Sequence, residues 1–191
     1  MARTGEYLSA PYTSSFHVVE FLQTRGKWLY PDFGELDYAK GDYHEMFLGG
    51  GRTLIDGKKF TLLEELFFDQ AVGPTAKGAN YLWPWTRVDL RFTPRLTSQT
   101  VYFPYLPLSS SGRFQQEIER SKLEYVLNRS WKGGIGYGSY QEDGSAWQNR
   151  EFVTATVATR AGEFEFWLQK IPGHGSHLQL RYTLALSNSK H

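Results

Sequence analysis

Hydrophobic and polar positions alternate with a period of two along much of this chain. In HLQLRYTLAL, His177 to Leu186, the residues Leu178, Leu180, Tyr182, Leu184 and Leu186 share one face of an extended strand, and His177, Gln179, Arg181, Thr183 and Ala185 share the other. Successive side chains on a strand point to opposite faces, so the pattern predicts one apolar face and one wet face. The segment 80–92 repeats it, with Arg87, Asp89 and Arg91 set against Val88, Leu90 and Phe92. Helical periodicity is scarce. GRFQQEIERSKLEYVLNRS can be read at period 3.6, yet Leu123, Tyr125 and Leu127 also alternate.

Gly and Pro punctuation divides the chain into about ten strands, at 16–30, 43–54, 59–72, 80–92, 97–106, 114–127, 131–140, 146–159, 163–171 and 176–186. IDGK, TPRL, NRS and AG are tight turns, whereas PDFGELDYAKGD, PTAKGA, PLSSSG, QEDGSA and PGHGS are mostly longer. Short and long connections alternate in order, as in an up-and-down antiparallel barrel with turns on one rim and loops on the other. An even strand number puts both termini at the turn rim. The expected organisation is all-β, one barrel domain over 1–191, with 1–15 as an N-terminal extension and 187–191 as a C-terminal tail.

Two inferred hairpins decide which face is inside. A two-residue turn at Ala161-Gly162 pairs Arg160 with Glu163, Ala158 with Glu165 and Thr156 with Trp167. A three-residue NRS turn pairs Leu123 with Ile135 and sets Glu124 beside Gly134, Lys122 beside Gly136 and Arg120 beside Gly138. Glycine weakens an exposed strand, but in a narrow lumen it clears space for long side chains from the next strand. The polar face is therefore expected inside. Arg87, Asp89, Arg91, Arg120, Lys122, Glu124, Glu163, Glu165, Gln179 and Arg181 are the candidate pore-lining residues. Glu20 interrupts an apolar parity, and Glu64-Glu65 demands that one carboxylate face inward or lie near an interface. Trp28, Tyr30, Trp83, Phe103, Tyr105, Trp131, Tyr140 and Trp147 lie near strand ends and are read either as interfacial girdles or as core aromatics.

With these features the chain resembles the small bacterial outer-membrane β-barrel proteins as a class, over nearly its whole length. Its final strand matches their alternating C-terminal signal, although it ends LALSNSKH rather than on Phe or Trp. The resemblance implies a transmembrane barrel in the outer membrane, contacts with membrane lipid or detergent, and handling by the outer-membrane assembly machinery. The opening MARTGEYLSAPYTSS lacks the apolar core of a signal peptide, which fits a mature form.

Composition narrows the chemistry. Lys and Arg number 21 against 20 Asp and Glu, so no long-range field favours nucleic acid. With no cysteine, thiolate chemistry and disulfides are excluded. GGG at 49–51 and GGIGYG at 133–138 lack the Lys-Ser/Thr of a phosphate loop. No cofactor is expected. His174 and His177 are the only close histidines, and a rim enzyme would need His174, Ser176, Glu142 and Asp143 to converge. The expected function is a porin-like narrow channel or small-solute transporter with a charged lumen. Two alternatives remain: a soluble lipocalin-like barrel holding an apolar ligand among inward leucines, and a lipid-modifying or proteolytic enzyme at the outer rim.

Overall fold

The computed structural model describes residues 2–6, 16–22, 30–38, 44–73, 77–160, 162–171 and 175–184. These form twelve antiparallel strands in one closed barrel, each paired with its sequence neighbour and β1 with β12. The strands are β1 Ala2–Glu6, β2 Phe16–Leu22, β3 Tyr30–Tyr38, β4 His44–Asp56, β5 Phe60–Ala71 and β6 Asn80–Arg91. They continue as β7 Leu96–Pro107, β8 Gln115–Val126, β9 Trp131–Glu142, β10 Gln148–Ala158, β11 Gly162–Ile171 and β12 Gly175–Leu184.

Each of the ten strands expected from the sequence is present, the first as Phe16–Leu22 of the expected 16–30, with 23–29 outside the described residues and Tyr30 in the next strand, and two strands are added. Ala2–Glu6, within the stretch read as an extension, bridges β2 and β12 and closes the barrel, with Ala2 opposite both Phe21 and Leu184. Tyr30–Tyr38, largely inside the stretch read as a long loop, pairs Asp32 with Gly49 and Phe33 with Leu48. Proline at its second position and a mid-strand glycine disguise it as a turn. The total stays even, so both ends of the sheet still meet at the turn rim.

The parity that carries most of the leucines faces outward around the wall, as the polar-inside reading requires, although the inward face of β4–β7 is largely aromatic rather than polar. Leu48, Leu66, Phe68, Leu123, Ile135, Val153, Phe166, Leu168 and Leu178 are exposed on the outside. Their strand neighbours Phe47, Phe67, Lys122, Gly136, Thr154, Trp167 and Gln179 lie on the inside. A soluble barrel with inward leucines is thereby excluded: Leu168 is 53% exposed while Trp167 beside it is fully buried. In the Glu64-Glu65 pair, Glu65 is the buried, inward carboxylate, and Glu64 faces out and accepts a hydrogen bond from Thr86 Oγ1 at 2.8 Å.

One register differs from expectation. Ala158 pairs with Glu163, Thr156 with Glu165 and Thr154 with Trp167. The turn closes between Thr159 and Gly162 instead of between Arg160 and Glu163. Thr159 sets it: both its backbone N–H and its hydroxyl donate to the Gly162 carbonyl at 2.8 Å. Each partner moves by two residues, which preserves the face but takes Arg160 out of the lumen row and into the turn.

Candidate functional site: the lumen

The β8–β9 hairpin has the expected register, with Leu123 opposite Ile135, Lys122 opposite Gly136 and Glu124 opposite Gly134. The glycines make room as anticipated, but for residues from both neighbouring strands. A Cβ at Gly134 would come within 2.8 Å of both Glu124 and Thr154, whereas at Gly136 it would strike the Phe152 ring at 2.6 Å, and at Gly138 Arg150 Nε at 2.6 Å. Phe152 and Arg150 come from β10, so this column seats an aromatic and an arginine that the β8 register alone does not reveal.

On the β8–β12 side the lumen holds a two-sign lattice. Lys122 Nζ lies 2.5 Å from Glu165 and 3.2 Å from Glu124. Arg120 binds Glu119 at 2.5 Å and Gln99 at 2.5 Å. Arg181 reaches Glu119 and stacks its guanidinium over Trp167, 4.2 Å from the ring centroid. Arg150 pairs with Glu117, and Gln169 meets Gln179 beside Arg181. Charges this far from bulk water persist only where paired and hydrogen-bonded.

Of the candidate residues, Arg120, Lys122, Glu124, Glu165, Gln179 and Arg181 converge in this lattice. Arg87 and Asp89 form their own ion pair at 2.8 Å, and Gln99 donates to Asp89 at 2.9 Å, linking it to Arg120. Arg91 shares that parity but is exposed at the end of β6. Glu163 lies at the turn rim, where it binds Lys132 at 3.0 Å.

Glu117, Glu119 and Arg150 were not legible as candidates. Glu119 is the extra residue of a β-bulge: Arg120 opposes Val101 and Ile118 opposes Tyr102. The bulge turns two consecutive side chains inward, which strict alternation forbids.

The opposite wall, β4–β7, is apolar inside. Phe47, Leu63, Phe67, Trp83, Trp85, Val101 and Phe103 form one buried cluster with Tyr105 packed on it. Trp83 stacks on Tyr105 at 5.1 Å and meets Phe47 and Phe103 edge to face. Trp83, Phe103, Tyr105 and Tyr140, candidates for an interfacial girdle, therefore point into the barrel, while Trp131 and Trp147 are exposed. The signal was in the parity: Tyr81, Trp83 and Trp85 alternate in phase with Arg87, Asp89 and Arg91. Acids border the cluster, with Glu45, Glu65 and Asp69 buried and Tyr105 donating to Glu45 at 3.4 Å.

At the loop rim, Glu142 binds Arg113 at 2.9 Å and Asp143 accepts from the Phe114 N–H at 3.0 Å, so these two acids are engaged in holding adjacent loops together. His174, Trp28 and Leu186 lie outside the described residues, as do the side chains of Glu20, Tyr30, His177 and Leu184. Among the described residues no three His, Asp or Glu side chains are grouped as metal ligands.

No family model and no curated protein matches the chain. Solved structures do. The chain is similar to the KdgM porin, with a TM-score of 0.68 and 9% identity over 96% of this chain and 98% of that one. One KdgM structure is described as a complex with disordered oligogalacturonate. The NanC porin superposes with a TM-score of 0.67 and 7% identity, over 97% of this chain and 100% of that one. An outer-membrane channel from Pseudomonas putida F1 gives 0.59 and 13%, over 95% and 91%. At these identities the likeness is one of fold: this chain has the barrel architecture of small bacterial outer-membrane porins.

Proposed function

We propose that the protein is a narrow channel of the bacterial outer membrane, passing small solutes along a charged lumen. One observation carries this reading: a closed barrel turns most of its leucines outward and keeps a lattice of both charge signs inside. Mixed charges create a local field across the passage, and the packed side chains limit solute size. The lattice side offers cations to acidic solutes and the opposite wall offers rings on which a sugar face can lie. An oligosaccharide of the kind described with the KdgM porin is thus a reasonable first solute to try. Assembly in the outer membrane, through the machinery that reads the alternating β12, belongs to the same proposal.

The test is single-channel recording of protein refolded from detergent into planar bilayers. Small, discrete conductance steps are expected. Conductance no greater than the bare bilayer, from protein that runs as a folded, heat-modifiable band, overturns the channel.

A further inference from the structure

The barrel wall has a break that the lumen chemistry does not explain. Backbone bonds at Leu108 N to Asn80 O and at Phe92 N to Leu96 O fix the even-numbered residues of β6 as the hydrogen-bonded positions of the β6–β7 ladder. Leu82 opposite Leu106 and Thr86 opposite Tyr102 are two such positions, and the position midway between them is proline on both strands, Pro84 facing Pro104. A hydrogen-bonded pair exchanges two N–H···O bonds, and proline has no N–H. Both bonds are therefore missing, and the ladder has no pairing between Leu82 and Thr86. At ~3.4 Å per residue the gap is about 14 Å along the wall.

Such a gap is costly where it lies. Pro84 is the fifth residue of twelve in β6 and Pro104 the ninth of twelve in β7, so the break falls near mid-strand, on the loop-rim side. Inside hydrocarbon there is no water to satisfy the two proline carbonyls, and a membrane barrel ordinarily leaves no open edge. Proline is otherwise confined to sheet edges and bulges. The next strand contact is also irregular, because the Glu119 bulge lies across from Val101 and Tyr102.

Behind the gap lies the only large apolar cluster among the described lumen residues. The residues flanking the two prolines are Trp83, Trp85, Phe103 and Tyr105, all directed inward, with Phe47 and Phe67 packed behind them. Trp83 Nε1 is buried without a hydrogen-bond partner. Gly49 leaves space for the Phe67 ring, which a Cβ would meet at 2.7 Å. Elsewhere the described lumen is mostly charged or polar, with Phe152 and Trp167 stacked among the charges, so among the described residues the break in the wall falls where the largest apolar surface inside faces lipid outside.

We propose that the β6–β7 seam is a lateral port, through which a hydrocarbon-like molecule passes between the membrane and the aromatic cluster. The port needs the barrel to span a membrane and does not need the lumen to conduct.

Tryptophan quenching tests it. Trp28→Phe, Trp131→Phe and Trp147→Phe together leave Trp83, Trp85 and Trp167, which all face inward. In vesicles of acyl-brominated phosphatidylcholine their emission is expected to fall relative to ordinary lipid. In ordinary vesicles loaded with 1-bromododecane a fall identifies a free hydrocarbon, rather than a lipid chain, as able to enter. Adding Pro84→Val and Pro104→Val restores both donors and zips the seam, and the quenching is expected to be lost. Pro84→Val alone, restoring one donor, replaces the double variant if that does not fold. Quenching by neither brominated probe, or equal quenching with and without the prolines, overturns the port. Protein retaining the outward Trp131 reports insertion: if Trp131 too is unquenched, the membrane reading fails along with the port, whereas quenching of Trp131 alone sinks only the port.

Discussion

Arg181 on β12 donates to Glu119 on β8, a carboxylate four strands away around the wall. No ladder of backbone bonds joins these strands, so the contact is a chord across one side of the lumen. Glu119 is shared with Arg120 on its own strand, and Arg181 is held by the Trp167 face. One carboxylate thus binds two guanidinium groups in a space with little water.

Glu119→Gln leaves both cations buried with a weaker acceptor. Removing one partner of a buried pair costs about 3–5 kcal/mol, mostly as the penalty of the stranded charge. Urea unfolding in vesicles is expected to show a loss at the lower end of that range, since the lattice offers Arg120 a second acceptor in Gln99. Adding Arg181→Met is expected to recover part of it, because coupled sites do not add. Equal midpoints for Glu119→Gln and the native protein would show that the chord contributes nothing.

Two glycines in β9 separate space from conformation. At Gly136 a Cβ would lie 2.6 Å from the Phe152 ring and 2.7 Å from the Ser121 carbonyl, so Gly136→Ala is expected to destabilise by about 1–3 kcal/mol as overpacking. At Gly133, on the outer face, the nearest atom would be 3.8 Å away. Gly133→Ala should therefore be neutral or gain up to about 1 kcal/mol from the lower entropy of the unfolded chain. The same unfolding measurement checks both, and a reversed order would refute the clearance argument.

How far the sequence revealed this arrangement depends on the residue. Arg87, Lys122, Glu124 and Arg181 were legible because strict alternation carries a side chain's face along a whole strand. The Lys122–Gly136 register followed from the short turn beside it. Glu119 was hidden because a bulge breaks alternation at one residue, and nothing local in Ile118-Glu119-Arg120 marks it. The Thr154–Trp167 pairing was missed by a two-residue slip that the turn chemistry of Thr159 decides. Since the slip is even, the face assignment survived. The aromatic wall was legible in parity, yet girdle and core stayed open as readings, because composition alone does not tell an inward tryptophan from an outward one. Pro84 and Pro104 stood in the sequence, but only the observed register sets them face to face.

The outer surface makes its own prediction. Leu168 and Leu123 are exposed on the outside, next to the inward Trp167 and Lys122. Leu168→Arg is expected to cost about 2–4 kcal/mol if the site lies at mid-membrane, and less toward an interface. The measurement is unfolding in lipid vesicles compared with Leu168→Ala. A change no larger than that of the alanine variant would mean that this face does not contact hydrocarbon.

The Lys122–Glu165 pair separates stability from permeation. Lys122→Glu brings a third carboxylate against Glu124 and Glu165, which lie 3.2 and 2.5 Å from the lysine it replaces. Like charges at that range repel, so the variant is expected to be less stable than Lys122→Met and to shift the reversal potential in a salt gradient toward cations. Swapping the pair, Lys122→Glu with Glu165→Lys, keeps the lumen's net charge and restores the attraction. Its midpoint and its ion preference should both return toward native values, with any remaining shift reporting where along the passage the positive charge sits. If Lys122→Glu folds but leaves the reversal potential unchanged, the lattice braces the wall without facing the ion path.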